Sequence, residues 1–212
     1  MAVFPFLHWP RKQRSNVPGP ASPQPVPPFR QSGAEVYRHF YNERGFQCFA
    51  SFFPLWGGWA TAGHVLTEAG HLWPEFTHCE GEAQLWPGGL DAALNGCALP
   101  NHPPADPTEG QEIIACGYPA GSRHCESRHG TVYIQRQTGS GDWIAHIKSP
   151  DEPVVSGMSG GPVMDARTRE PIGILITRNS PADLNADRDP DESCDFVSLR
   201  AVWQALKSAN IS

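Results

Sequence analysis

From about residue 32 onward the chain alternates short apolar runs with breaks of Gly, Pro and Asn. Nine of these runs carry the Val, Ile, Phe, Trp and Thr enrichment of strands: 46–53, 58–61, 83–86, 112–117, 131–137, 143–147, 162–165, 172–177 and 195–198. Turn signals such as Pro87-Gly88-Gly89 and Gly139-Ser140-Gly141 separate them. Two stretches read as helices. In 34–43 the apolar residues are loosely spaced, whereas in 199–209 Leu199, Val202, Trp203 and Leu206 fall at i, i+3, i+4 and i+7 and form one stripe. Many short strands closing on one terminal helix predict an all-β fold of barrels or a sandwich. No internal repeat is visible.

Residues 16–30 break this pattern. Pro18, Pro20, Pro23, Pro25, Pro27 and Pro28 crowd one short stretch. Prolines lack the amide donor and favour extended backbone, so 1–31 is expected to be a semi-rigid arm outside the fold. Its P-x-x-P spacing also suits SH3-type modules, although a plain linker has the same composition. The N-terminal apolar residues precede Arg11, Lys12 and Arg14, the reverse of a secretory signal, and none is expected.

Composition narrows the class further. The 212 residues suffice for one large domain or two small lobes. The 21 Gly and 22 Pro make up about a fifth of the chain, against roughly 12% in average usage, which disfavours long helices. A net charge of −6 does not suggest the basic surface that nucleic acid needs, and no apolar run is long enough to span a membrane. The six cysteines, at 48, 79, 97, 116, 125 and 194, are expected as free thiols in a reducing compartment. A cytoplasmic location follows as the expectation.

The most specific segment is Gly157-Met158-Ser159-Gly160-Gly161-Pro162. Five such fixed positions arise by chance on the order of once in 10⁶ windows. A nucleophilic Ser must project from a tight turn whose backbone N–H groups face a developing oxyanion. Glycines permit both the dihedrals and the close approach. The amides of Gly157 and Ser159 are the expected donors. Two weaker segments join it. Thr61-Ala62-Gly63-His64-Val65 places His64 at the end of a strand, and Leu90-Asp91-Ala92-Ala93-Leu94 sets one carboxylate among apolar neighbours, where it could orient an imidazole.

With its His, Asp, Ser order and the Ser in G-x-S-G-G-P, the sequence resembles the trypsin-like superfamily of serine proteases. Separations of 27 residues from His64 to Asp91 and 68 from Asp91 to Ser159 look like those of compact bacterial members, such as Deg-type and glutamyl-endopeptidase proteases. Gly117-Tyr118-Pro119-Ala120-Gly121 is similar to the G-x-P-x-G turn of Deg-type proteases. The 173–177 segment resembles the strand beside bound substrate, and Phe196-Val197-Ser198-Leu199 the end of the domain. The resemblance covers about 46–209. It implies two six-stranded antiparallel β-barrels, 32–104 and 105–212, the first supplying His64 and Asp91 and the second Ser159. The implied function is a serine endopeptidase acting on a restricted set of protein or peptide substrates, with a regulatory protein partner as a further expectation. It needs no metal or cofactor.

Departures from the digestive enzymes matter as well. Met158 stands where they carry an acid that pairs with a new N-terminus on activation, and Val65 and Val155 stand where they carry half-cystines. Activation by that ion pair is not expected. By position, Pro153 to Ser156 and Thr177 to Asn179, Arg178 included, should wall the primary specificity pocket, with Ile176 also expected to meet substrate and Asp195 reaching the pocket's base. The acidic 183–195 loop could attract basic substrate residues, Arg178 could favour acidic ones, or the charges could simply be solvated. The Asp-rich run 183–189 lacks the Gly and Glu of a calcium loop. His71, His78, Cys79, Cys116, His124 and Cys125 contain no C-x₂-C pair, so they do not read as a zinc site. Trp56, Trp59, Trp73 and Trp86 are expected to fill or cap the first barrel. The competing reading is a non-catalytic binding module that keeps the fold.

Overall fold

The computed structural model describes residues 29–31, 34–43, 46–68, 84–85, 89–120, 122–136, 139, 141–148, 153–178 and 193–209. The Pro-rich segment up to residue 28, Trp73, Trp86, His71, His78, Cys79 and the acidic run 179–192 lie outside these residues.

The second half of the chain forms a closed barrel. Its strands are β7 (Glu112–Gly117), β8 (Glu126–Gln135), β9 (Asp142–Ile147), β10 (Pro162–Asp165), β11 (Pro171–Arg178) and β12 (Ser193–Ser198). They run in the order β10-β11-β12-β9-β8-β7, and β10 pairs antiparallel with β7 to close the ring. Closure removes every sheet edge. Alternation explains the filling of the barrel: Trp143, Ala145 and Ile147 of β9 point inward to meet Ile113, Ala115, Val132, Val163, Leu175 and Phe196. One six-stranded antiparallel barrel of the kind expected is therefore present.

The first half supplies β1 (Phe29–Gln31), β2 (Ala34–Glu43), β3 (Phe46–Leu55), β4 (Gly58–Thr61), β5 (Gln84–Leu85) and β6 (Ala93–Asn95). These make a six-stranded sheet in the order β1-β2-β3-β4-β6-β5. Among the described residues this sheet is not closed into a second barrel. A short helix, α1 (Gly63–Glu68), follows β4 directly, so His64 lies in a helical first turn just past the strand end.

Residues 34–43 are a correction. The helix expected there is strand β2, paired with β3 from Tyr37↔Phe52 to Glu43↔Phe46. The loose apolar spacing carried no true 3.6-residue period. The segment is rich in aromatic residues, which suit a pleated surface, and a long partner strand follows after two residues. The sheet also begins at Phe29, inside the segment read as an arm, and β6 beside Asp91 had no strand signal of its own.

Helix α2 (Leu199–Ala209) closes the described chain as expected. Ser198 Oγ accepts the Ala201 N–H at 3.1 Å and caps its start. Leu199, Val202 and Leu206 are buried, and Trp203 donates its Nε1–H to the Pro100 carbonyl at 2.9 Å. Their apolar stripe joins Phe52, Phe53, Leu94, Ile174 and Val197 in one cluster. Helix and first sheet thus share a core with the outer side of β11 and β12, which locks the two lobes together. Trp56 and Trp59 pack against this cluster, and Trp59 meets Phe52 edge-on at 5.3 Å. Among the described residues no helix is long and apolar enough to cross a membrane.

Candidate active site

The site begins with a backbone need. The first N–H groups of a helix have no partner within the helix. In α1, the His64 N–H is satisfied by Asp91 Oδ1 at 2.8 Å. The other oxygen of the same carboxylate, Oδ2, lies 2.7 Å from His64 Nδ1. Gly63 makes the approach possible, since a Cβ there would stand 3.1 Å from Asp91 Oδ1. Asp91 itself is held in a tight turn in which the Ala92 N–H donates to the Leu90 carbonyl at 2.8 Å. A carboxylate oxygen accepts, so the Nδ1 proton of a neutral ring faces Asp91 and Nε2 is the ring's acceptor nitrogen. The ring is about a quarter exposed, which gives it access to solvent.

Ser159 sits on the turn before β10, in the second lobe. Gly157 and Gly160 flank it with φ of 94° and 86°, a left-handed region that suits glycine. The turn leans on the first lobe: the Ser51 N–H donates to the Ser159 carbonyl at 2.9 Å. A Cβ on Gly160 would lie 2.1 Å from Thr61 Oγ1 and 3.1 Å from the Ala62 nitrogen, two residues before His64. The Ser turn therefore packs on the seam between β4 and α1 that carries His64.

The carbonyls of this turn are all engaged. The Ala120 N–H donates to the Ser156 carbonyl at 2.7 Å, Ser51 Oγ–H to the Gly157 carbonyl at 2.8 Å, and the Gly161 N–H to the Met158 carbonyl at 3.1 Å. In a trans peptide the N–H points opposite its carbonyl. Pinning the Ser156 and Met158 carbonyls therefore fixes the direction of the Gly157 and Ser159 N–H groups. Among the described residues these two N–H groups donate to nothing. Two oriented, unused donors within three residues, the second on the Ser itself, are what an anion cradle requires. Met158 lies wholly inside the barrel core, against Gly117, where a Cβ would meet its backbone at 2.7 Å.

The residues expected to wall a specificity pocket are placed as follows. The Pro153 carbonyl accepts from Arg128 Nε at 2.9 Å, Ser156 is exposed, and Ile176 is half-buried at the edge of the shared core. Thr177 and Arg178 end β11, opposite Asp195 and Cys194 of β12. Asp195 is buried and forms an ion pair with Arg136. Its charge is thereby already matched within the protein. Among the described residues no three His, Cys, Asp or Glu side chains gather as a metal site. Burial pushes the Cys116 and Cys194 thiols up to about 12 and the Cys125 thiol to about 11.

One residue of this site carried no motif. Ser51 lies in the middle of the run Phe49-Ala50-Ser51-Phe52-Phe53, and the only sequence signal was a hydroxyl inside an apolar strand, which must find partners if buried.

No protein-family model and no curated protein sequence matches the chain. Solved structures do. The Rv3671c protease of M. tuberculosis in its active form is 16% identical, with a TM-score of 0.50 over 81% of this chain and 78% of that one. The inactive form of a serine-to-alanine mutant of the same protein is 15% identical, with a TM-score of 0.48 over 84% and 87%. At such identity the active-form likeness speaks for architecture alone: the fold of this chain is similar to that of the Rv3671c protease.

Proposed function

We propose that the chain is a serine endopeptidase of the trypsin-like type with His64, Asp91 and Ser159 as its triad. The observation that supports this reading is the His64–Asp91 pair next to the seam on which the Ser159 turn packs, with the Gly157 and Ser159 N–H groups of that turn oriented and unused. Ser159 Oγ attacks the scissile carbonyl as His64 Nε2 takes its proton. The carbonyl oxygen gains negative charge and settles between the Gly157 and Ser159 N–H groups. The tetrahedral species then collapses, the C–N bond breaks, and His64 returns the proton to the leaving amine. Water, deprotonated by His64, releases the acyl group and restores Ser159. Asp91 holds the tautomer and stabilises the imidazolium at each transfer.

Protein or peptide substrates would lie along the end of β11, with Pro153, Ser156, Ile176, Thr177, Arg178 and Asp195 around the side chain that precedes the cut. The ion pair between Asp195 and Arg136 means that this carboxylate gives no free charge to draw in Lys or Arg. Reaction with a fluorophosphonate tests the assignment. The folded wild type should be labelled on Ser159 and a Ser159→Ala variant should not. Absence of label on folded wild type would leave the binding module as the better account.

A further inference from the structure

We infer that Ser51 is a positioning residue that holds the oxyanion cradle in its working shape. The inference rests on the proposed role of Ser159. Ser51 is fully buried in β3, in the first lobe, yet it makes three hydrogen bonds across the seam and a fourth within its own lobe. Its N–H donates to the Ser159 carbonyl at 2.9 Å and its carbonyl accepts from Thr61 Oγ1 at 2.8 Å. Its hydroxyl accepts the Tyr118 N–H at 2.8 Å and donates to the Gly157 carbonyl at 2.8 Å. One side chain thus ties the strand of one lobe to two separate segments of the other.

The geometry explains why this matters for reactivity. The three peptide planes from Ser156 to Ser159 carry the two cradle donors at their ends. The first is held by Ala120 and the third by Gly161, both from within the second lobe. The middle plane, Gly157–Met158, has its carbonyl on Ser51 Oγ and its N–H on the Val155 carbonyl at 3.1 Å. Gly157 has no Cβ to restrict it, so this plane turns most easily once its carbonyl is released. A turned middle plane changes the angle between the two donors on either side of it. Met158, an uncharged residue sealed in the core, offers no ion pair to hold the loop instead. Ser51 supplies that restraint permanently, with no cleavage of the chain required.

The test compares the full-length wild type with Ser51→Ala, Ser51→Cys and Ser159→Ala, using a fluorescent fluorophosphonate as probe. Both the rate constant of labelling and the final labelled fraction are read. Ser51→Ala should reach the wild-type final fraction, with a rate constant lower by about 10- to 100-fold. That is less than the 10²–10³-fold typical of deleting an oxyanion donor itself, because the donors remain present. A purely structural role would lower the final fraction and leave the rate constant of the folded molecules unchanged. That result, or equal rates and fractions, overturns the inference. Should Ser51→Ala fail to fold, Ser51→Cys answers the same question. Its thiol fills the space with weaker bonds, so a smaller loss of rate is expected and an unchanged rate overturns the inference. A wild type that takes no label defeats the hydrolase reading, and this one falls with it. A labelled wild type with an equally fast Ser51→Ala defeats this one alone.

Discussion

Replacing Gly160 by Ala tests the contact between the Ser turn and the first lobe most directly. Two costs arise. The residue has φ of 86°, where an L side chain adds roughly 1–2 kcal/mol. The new Cβ would also stand 2.1 Å from Thr61 Oγ1 and 2.2 Å from the Ser51 carbonyl oxygen, where real contacts exceed 3.0 Å. Thr61 Oγ1 is itself bonded to that carbonyl at 2.8 Å, so neither atom can swing away freely. The turn must retreat by about 1 Å, at an overpacking cost of roughly 1–3 kcal/mol, and Ser159 retreats with it. A displacement of that size can cost on the order of 10² in rate. Gly110 provides the control, because its φ is 78° and a Cβ there would touch nothing within 4 Å. Gly110→Ala should therefore lose roughly 1–2 kcal/mol, a few degrees in thermal midpoint, and label with fluorophosphonate at the wild-type rate. Gly160→Ala should lose more stability and label about 100-fold more slowly. Equal midpoints and equal rates for the two variants would refute the packing argument.

Two further outcomes follow from the same coordinates. Asp91→Asn keeps one acceptor for the His64 N–H but turns an amide toward Nδ1, which moves the ring proton to Nε2. Ester turnover should fall by about 10⁴, the size of the effect in the template Ser-His-Asp protease, with an unchanged circular dichroism spectrum; a loss under tenfold would remove Asp91 from the mechanism. The thiols of Cys116, Cys125 and Cys194 are raised by burial from 9.0 to about 12, 11 and 12, so all three should resist iodoacetamide at pH 8 in the folded protein. Because their folded values lie above the unfolded ones, the stabilising contribution is complete below about pH 9 and is lost as the pH rises through 11 to 12. Mass spectrometry and alkaline unfolding curves check both statements, and rapid alkylation of Cys194 at pH 8 would contradict its burial.

Local pattern made much of the architecture legible. The runs at 112–117, 143–147, 162–165 and 172–177 fall within or on β7, β9, β10 and β11, because each is a short apolar segment bounded by turn residues. The stripe of Leu199, Val202 and Leu206 became the buried face of α2 for the same reason. Ser159 and its glycines were legible because a strained turn leaves its mark in consecutive residues. Residues 34–43 misled, since ten residues with ambiguous spacing take the state their neighbour offers, and only pairing with β3 decided for a strand.

What no local pattern holds is a hydrogen bond between distant segments. His64 and Asp91 are 27 positions apart, and each alone is an ordinary residue; the pair exists because Gly63 lets the Asp91 turn press against the start of α1. Ser51 and Gly157 are separated by 106 positions, and nothing in the run around Ser51 names its partner. The short-range order of the chain determined strands, turns and the glycine-rich setting of Ser159, because those depend on backbone preference and side-chain period. Docking of the two lobes decided which buried polar groups meet, because satisfying a desolvated hydroxyl or amide depends on whatever the other lobe brings to it.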